Sequence, residues 1–279
     1  MKTKFLKMIL VVFFFIWIYF PTLRWLYERF TAASSYYSHG FLVPLVTAFF
    51  IWRKREKFTV LSPNYSIWGL ALVIWGLMIH VLSIWTHIFF TSGFSILFLV
   101  FGLSLFLFGE EITKEILFPL FFLAFMLPLP LGAVSAFSFP LKMYVTKFSV
   151  GLVSRMGVPA FRQGFHIYLS NASLTIGNPC SGLRSLISFM ALGAIFAYLL
   201  KAPLGRKILI FFLAIPIALF TNITRVAALT LAANFWGGGT ASPGGFFHDF
   251  SGIAVFVFGL TLLVFSWRLL EWRNLRQDT

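Results

Sequence analysis

Residues 89–108 read FFTSGFSILFLVFGLSLFLF, twenty positions without a charged side chain. Wound as an α-helix, such a run is about 30 Å long, which matches the hydrocarbon core of a bilayer. Seven further stretches share its character, near 6–23, 36–52, 66–85, 112–131, 182–200, 207–231 and 250–268. Of the 279 residues, 59% are hydrophobic and 11% are charged, whereas a soluble domain carries about 25% charged residues. Thirty-eight Phe and nine Trp exceed what one water-soluble core buries, and lipid accommodates them. An ordinary soluble enzyme is excluded. The pattern predicts an all-α polytopic membrane protein of about eight transmembrane helices. The first run is too long and too aromatic for a cleaved signal peptide and is expected to be retained. No internal repeat divides the chain, so 1–279 reads as a single integral-membrane domain.

The formal net charge is +14, from 22 Lys and Arg against 8 Asp and Glu. In a membrane protein such a surplus flanks cytoplasmic helix ends and meets anionic headgroups, so it does not point to nucleic acid. With the N-terminus inside, fourteen basic residues fall on the cytoplasmic side and eight on the other. The compact basic loops 53–57 and 201–207 decide the orientation, and both termini are expected in the cytoplasm.

Residues 132–181 are the long outer segment that spanning does not explain. Pro128 and Pro130 end the fifth helix. Over 138–156, Lys142, Lys147 and Arg155 sit among apolar residues, as in a helix lying along the membrane surface or a lipid-supported connector. From Gly164 to Gly177, GFHIYLSNASLTIG alternates apolar and polar positions about a Ser-Asn-Ala turn, which predicts a short extracytoplasmic β-hairpin.

Acidic residues are few and poorly placed for intramembrane chemistry. Glu56, Glu110, Glu111, Glu115, Glu271 and Asp278 fall on the cytoplasmic side, and only Glu28 and Asp249 fall outside. No pair of acids lies within helices, which argues against an intramembrane aspartyl protease and an ion-coupled transporter. No HExxH, other metal-ligand spacing or phosphate loop is present, so no metal and no cofactor are expected. The single cysteine excludes an intramolecular disulfide.

The remaining chemistry gathers at the outer ends of the last three helices. Helix six opens with Asn178-Pro179-Cys180-Ser181-Gly182-Leu183-Arg184. Asn is a good N-cap and Pro suits the first helical position, so Cys180 is expected in the first turn. There the helix dipole and Arg184, four residues on, favour a thiolate, and Gly182 admits a substrate backbone. A lone Cys in an apolar helix also packs as a small hydrophobe. On helix seven, Asn222 and Arg225 share a face near the outer interface, where Arg225 either points into the bundle or snorkels to headgroups. Helix eight begins after Phe246-Phe247-His248-Asp249. His248 is a candidate proton shuttle or a surface histidine, and Asp249 reads as an N-terminal capping acid more readily than as a catalytic partner. Cys180, Arg225 and His248 then share one membrane level as nucleophile, oxyanion stabiliser and proton shuttle for acyl transfer. His39, before helix two, is a rival base or a substrate contact. His166 reads as structural, and His80 and His87 as interfacial.

These residues resemble the exosortase/archaeosortase family of membrane-embedded cysteine transpeptidase-like enzymes. The likeness rests on Tyr37-Ser-His-Gly40, Met126-Leu-Pro-Leu-Pro130, the hairpin running into Asn178-Pro-Cys-Ser-Gly-Leu-Arg-Ser185, Asn222-Ile-Thr-Arg225, and Phe247-His248. It runs in order from about residue 30 to 265, and its histidine at 248 resembles the bacterial branch. The resemblance implies a cysteine protease or transpeptidase of the cytoplasmic (inner) membrane. Its partners would be exported proteins with a C-terminal motif, a transmembrane helix and a basic tail. By this likeness Cys180 forms a thioester with the client just outside the membrane, Arg225 stabilises the oxyanion and His248 protonates the leaving amine. His39, Arg184, Asn222, Ser181 and Gly182 are the expected supporting or substrate-binding residues. Two other classes stay open on the residues alone: a transporter in which Cys180 only packs, and a scaffold subunit of an envelope polysaccharide system.

Overall fold

A computed structural model describes residues 2–32, 35–60, 64, 66–177, 180–242 and 245–275. Its contacts group the chain into two compact units, Met1–Pro130 and Leu131–Thr279. Five helices are long and apolar enough to cross a membrane: Ile9–Thr31, Ile67–Trp85, Phe89–Glu115, Leu204–Trp236 and Phe246–Trp272. A sixth arises if Leu117–Met126 and Leu131–Arg155 count as one broken span. The chain is a helical, multi-pass membrane protein.

The first unit holds α1 (Lys2–Thr31), α2 (Leu42–Arg53), α3 (Arg55–Val60), α4 (Ile67–Trp85), α5 (Phe89–Glu115) and α6 (Leu117–Phe122). Helices α4 and α5 pack closely because glycine faces backbone. A Cβ at Gly102 would lie 2.8 Å from the Val73 nitrogen, and one at Gly69 would overlap the Phe106 nitrogen. Small residues at a crossing let two membrane helices gain backbone-to-backbone dispersion that larger side chains would prevent. Polar groups join α1 to this pair. Tyr19 Oη and Ser95 Oγ lie 2.8 Å apart, and Ser92 Oγ is 2.8 Å from His80 Nδ1. His80 Nε2 donates to Ile18 O over 3.1 Å, which leaves Nδ1 to accept from the Ser92 hydroxyl. His80 is therefore a buried interhelical residue and not an interfacial one, 4% exposed. Hydropathy sets a residue's depth along a helix but not which side faces a neighbour.

Three of the eight apolar stretches do not become long helices. The stretch near 36–52 forms a 3₁₀ turn at Ser38–Phe41 followed by the 12-residue α2. The stretch near 112–131 is cut into the end of α5, the six-residue α6 and a 3₁₀ turn at Leu123–Met126. Gly109 bends α5 with φ 83°, ψ −177°, a conformation that costs other residues a clash between Cβ and backbone. The stretch near 182–200 yields a helix of 17 residues.

The second unit contains α7 (Leu131–Arg155), β1 (Ala160–Gln163), β2 (His166–Leu169), β3 (Ser173–Thr175), α8 (Leu183–Leu199), α9 (Leu204–Trp236) and α10 (Phe246–Leu275). The expected hairpin is β2 and β3, paired antiparallel from His166↔Thr175 to Tyr168↔Ser173. Its Ser-Asn-Ala turn closes where Leu169 N donates to Ala172 O over 2.8 Å. The sheet gains a third strand, because β1 pairs with β2 from Ala160↔Leu169 to Gln163↔His166. Asn171 Nδ2 donates to Asn234 O over 2.7 Å and ties the hairpin turn to the end of α9.

Ile167 is fully buried, in one apolar cluster with Val145, Ile176, Cys180, Val226, Leu229, Ala233 and Ala241. Burial of each large side chain there contributes about 1.5–3 kcal/mol, which seats the sheet on α7 and α9. Phe189, Leu200, Ile210, Ala214, Ile217, Ala218 and Leu263 form a second cluster that binds α8, α9 and α10. Ile176 and Cys180 ahead of α8, and Ala241 ahead of α10, are thereby held against Val226, Leu229 and Ala233 of α9.

Candidate active site

The chain leaves β3 at Thr175 and is pinned at once, because Ile176 N donates to Phe165 O over 3.0 Å. Cys180 N donates to Gly177 O over 3.2 Å, which closes a turn ahead of the helix. Asn178 and Pro179, expected as cap and first helical residue, lie outside the described residues. Cys180 itself is not in the first turn of α8. The helix starts at Leu183, and its N-cap is Gly182 with φ 84°. A left-handed residue cannot propagate a right-handed helix, so Cys180 and Ser181 precede it. Ser181 is fully buried, and its Oγ accepts from Leu183 N over 3.3 Å.

Gly182 has a structural cause. A Cβ there would stand 2.8 Å from Asn222 Nδ2, so what approaches this glycine in the structure is Asn222 of α9. Asn222 is 1% exposed, and its Nδ2 donates to Cys180 O over 3.1 Å. That bond fixes the backbone of the cysteine against α9. Gly182→Ala combines a left-handed φ with displacement of this amide. The substitution should lower stability by about 1–2 kcal/mol, read as thermal unfolding of the purified protein. Adding Asn222→Ala relieves the clash but not the backbone strain, so recovery should be partial.

Arg225 lies one turn beyond Asn222 on α9 and reaches the start of α10. Its Nη2 donates to His248 O over 3.1 Å, and its Nε donates to Ser251 Oγ over 3.4 Å. The same Nη2 lies 3.5 Å from His248 Nε2. The guanidinium therefore points into the protein and is engaged there, where snorkelling would send it out to headgroups. His248 stands in the first turn of α10, 7% exposed, with Nε2 3.5 Å from Cys180 Sγ. The structure thus brings Cys180, Arg225 and His248 together from three separate segments, with Asn222 beneath the cysteine.

Burial pushes the Cys180 thiol up from its ordinary range, and the charges of Arg225 and Arg184 counter this in part. The Arg184 charge reaches the sulfur although Cys180 precedes α8, but desolvation outweighs it. The sulfur lies beside an imidazole nitrogen, 3.5 Å away, an arrangement in which the ring can take the thiol proton. His39 belongs to the first unit, where its Nε2 donates to Phe125 O over 3.3 Å. His166 Nδ1 lies 3.0 Å from Thr175 Oγ1, within the sheet.

Asp249 Oδ1 lies 3.0 Å from His248 Nδ1. In the sequence, the only signal for a role beyond helix capping is its place directly after a histidine. Ser251, which receives Arg225 Nε, carried no signal of its own. Among the described residues, no group of three or more His, Cys, Asp or Glu is placed to hold a metal ion.

A family model described as transmembrane exosortase (Exosortase_EpsH) matches residues 29–265. Comparisons with curated proteins and with solved structures found no match.

Proposed function

The chain belongs to the transmembrane exosortase family, and from this premise we propose that it removes the C-terminal tail of exported proteins through a Cys180 thioester. Membership supports a membrane transpeptidase-type function in general. The observation that carries the finer reading is the juxtaposition of Cys180 Sγ, His248 Nε2 and Arg225 Nη2.

In this reading His248 Nε2 takes the thiol proton as Sγ attacks the client's peptide carbonyl. The oxyanion forms beside the Arg225 guanidinium, which stabilises charge that the ground state lacks. When the C–N bond breaks, its electron pair stays on nitrogen, and Nε2–H protonates the departing amine. The thioester then passes its acyl group to water or to an envelope nucleophile, and the thiol is regenerated. Clients would carry a recognition motif, a transmembrane helix and a basic tail. The site would face the extracytoplasmic side of the inner membrane, with both termini in the cytoplasm.

Acid-quenched membranes from cells co-expressing a tail-bearing exported protein should yield a Cys180 peptide bearing the client fragment by mass spectrometry. Hydroxylamine should release that fragment. Tail removal that proceeds at full rate in Cys180→Ser cells would overturn the reading. The topology is checked in a Cys180→Ala background: an impermeant maleimide should label Ser242→Cys in intact cells and leave Lys201→Cys unlabelled.

A further inference from the structure

The contact between His248 and Asp249 has the geometry of an orienting pair. Arg225 Nη2 can only donate, and it approaches His248 Nε2 at 3.5 Å, as does the Cys180 thiol. The guanidinium requires a lone pair on Nε2, and the thiol can donate to it as well, which favours the ring proton on Nδ1. Asp249 Oδ1, 3.0 Å from Nδ1, is the acceptor that this tautomer needs. The histidine side chain is 9% exposed, whereas that of the aspartate is 66% exposed. An ion pair so open to water contributes little to stability.

We infer that Asp249 is a positioning residue that holds His248 as the Nδ1–H tautomer and steadies the imidazolium formed when Nε2 accepts the Cys180 proton. This rests on the transpeptidase reading above. The proton leaves Sγ and arrives at Nε2, while the Nδ1 proton stays on the ring and Asp249 stays a carboxylate. The product is a thiolate–imidazolium pair flanked by Asp249 on one side and Arg225 on the other. An amide at 249 could instead donate to Nδ1, shift the ring proton to Nε2 and remove the acceptor that the thiol needs.

The chain has one cysteine, so iodoacetamide alkylation of the full-length protein in detergent reports on Cys180 alone, followed by mass spectrometry of its peptide. At neutral pH, Asp249→Asn should be alkylated about tenfold more slowly than the wild type, and Asp249→Glu within about threefold of it. His248→Ala should be at least as slow as Asp249→Asn, and adding Asp249→Asn to His248→Ala should cause no further loss. In the client assay, Asp249→Asn should lower kcat about 10- to 100-fold while KM stays within about twofold. Asp249→Glu should restore most of that kcat, with unfolding temperatures of all three proteins within about 3 °C. Wild-type alkylation of Asp249→Asn, or an equal loss in the His248→Ala background, would overturn the inference. If Cys180→Ala is inactive while Asp249→Asn is fully active, this inference alone fails. Full activity of Cys180→Ala removes the transpeptidase reading itself.

Discussion

Cys180→Ala should abolish tail removal, by at least about 10⁴-fold, while the protein still inserts and folds. The size follows from the chemistry: without sulfur there is no acyl-enzyme, and only positioning and charge stabilisation are left. Folding should survive because the change deletes one atom from a cluster whose larger members are Ile167, Ile176, Val226 and Leu229. Cys180→Ser should be comparably inactive. A hydroxyl in that apolar setting gives up its proton far less readily than a thiol, and its smaller oxygen sits farther from His248 Nε2. The measurement is the ratio of processed to unprocessed client in membranes of equal protein content. Efficient processing by either variant would mean that Cys180 only packs, as in the transporter or scaffold readings.

Arg225→Lys should slow processing by about 10²–10³-fold, the cost of removing a preorganised donor from a developing oxyanion. Conserving the charge does not conserve the arrangement. Nη2 of Arg225 serves His248 O while Nε serves Ser251 Oγ, two acceptors met by one planar fork. An ammonium is a single point and cannot hold both in the same geometry. The loss should appear in kcat more than in KM. A drop smaller than about threefold would make the guanidinium an anchor for the start of α10 and leave the oxyanion without its proposed partner.

Much of this architecture was legible where the physics is local. The runs near 66–85 and 89–108 lie on α4 and α5, and those near 207–231 and 250–268 lie within α9 and α10. Continuous apolar length is what a bilayer demands, and it shows in composition. The alternation in 166–175 marked β2 and β3 for the same reason. Strand β1 was not visible, because AFRQ is too short to have a period until β2 pairs with it. The breaks at Gly109 and after Phe122 also escaped, since apolar content does not record a positive φ or a 3₁₀ turn.

The candidate site divides in the same manner. Cys180, Arg225 and His248 stood out as polar groups at apolar helix ends, where each needs a reason to be there. The onset of α8 did not, because the left-handed Gly182 moves it past the cysteine. Asp249 shows the sharper limit. An acid in a first helical turn can serve the helix dipole or the neighbouring ring, and only its side-chain torsions decide between them.

The 8% exposure of Cys180 has a further consequence. A sulfur packed among Ile167, Ile176 and Val226 is shielded from bulky oxidants and from stray thiols that would convert it to a mixed disulfide. The same enclosure denies a polypeptide access. On the proposed thioester reading, a client's scissile bond reaches Sγ only by displacing groups that now pack against it.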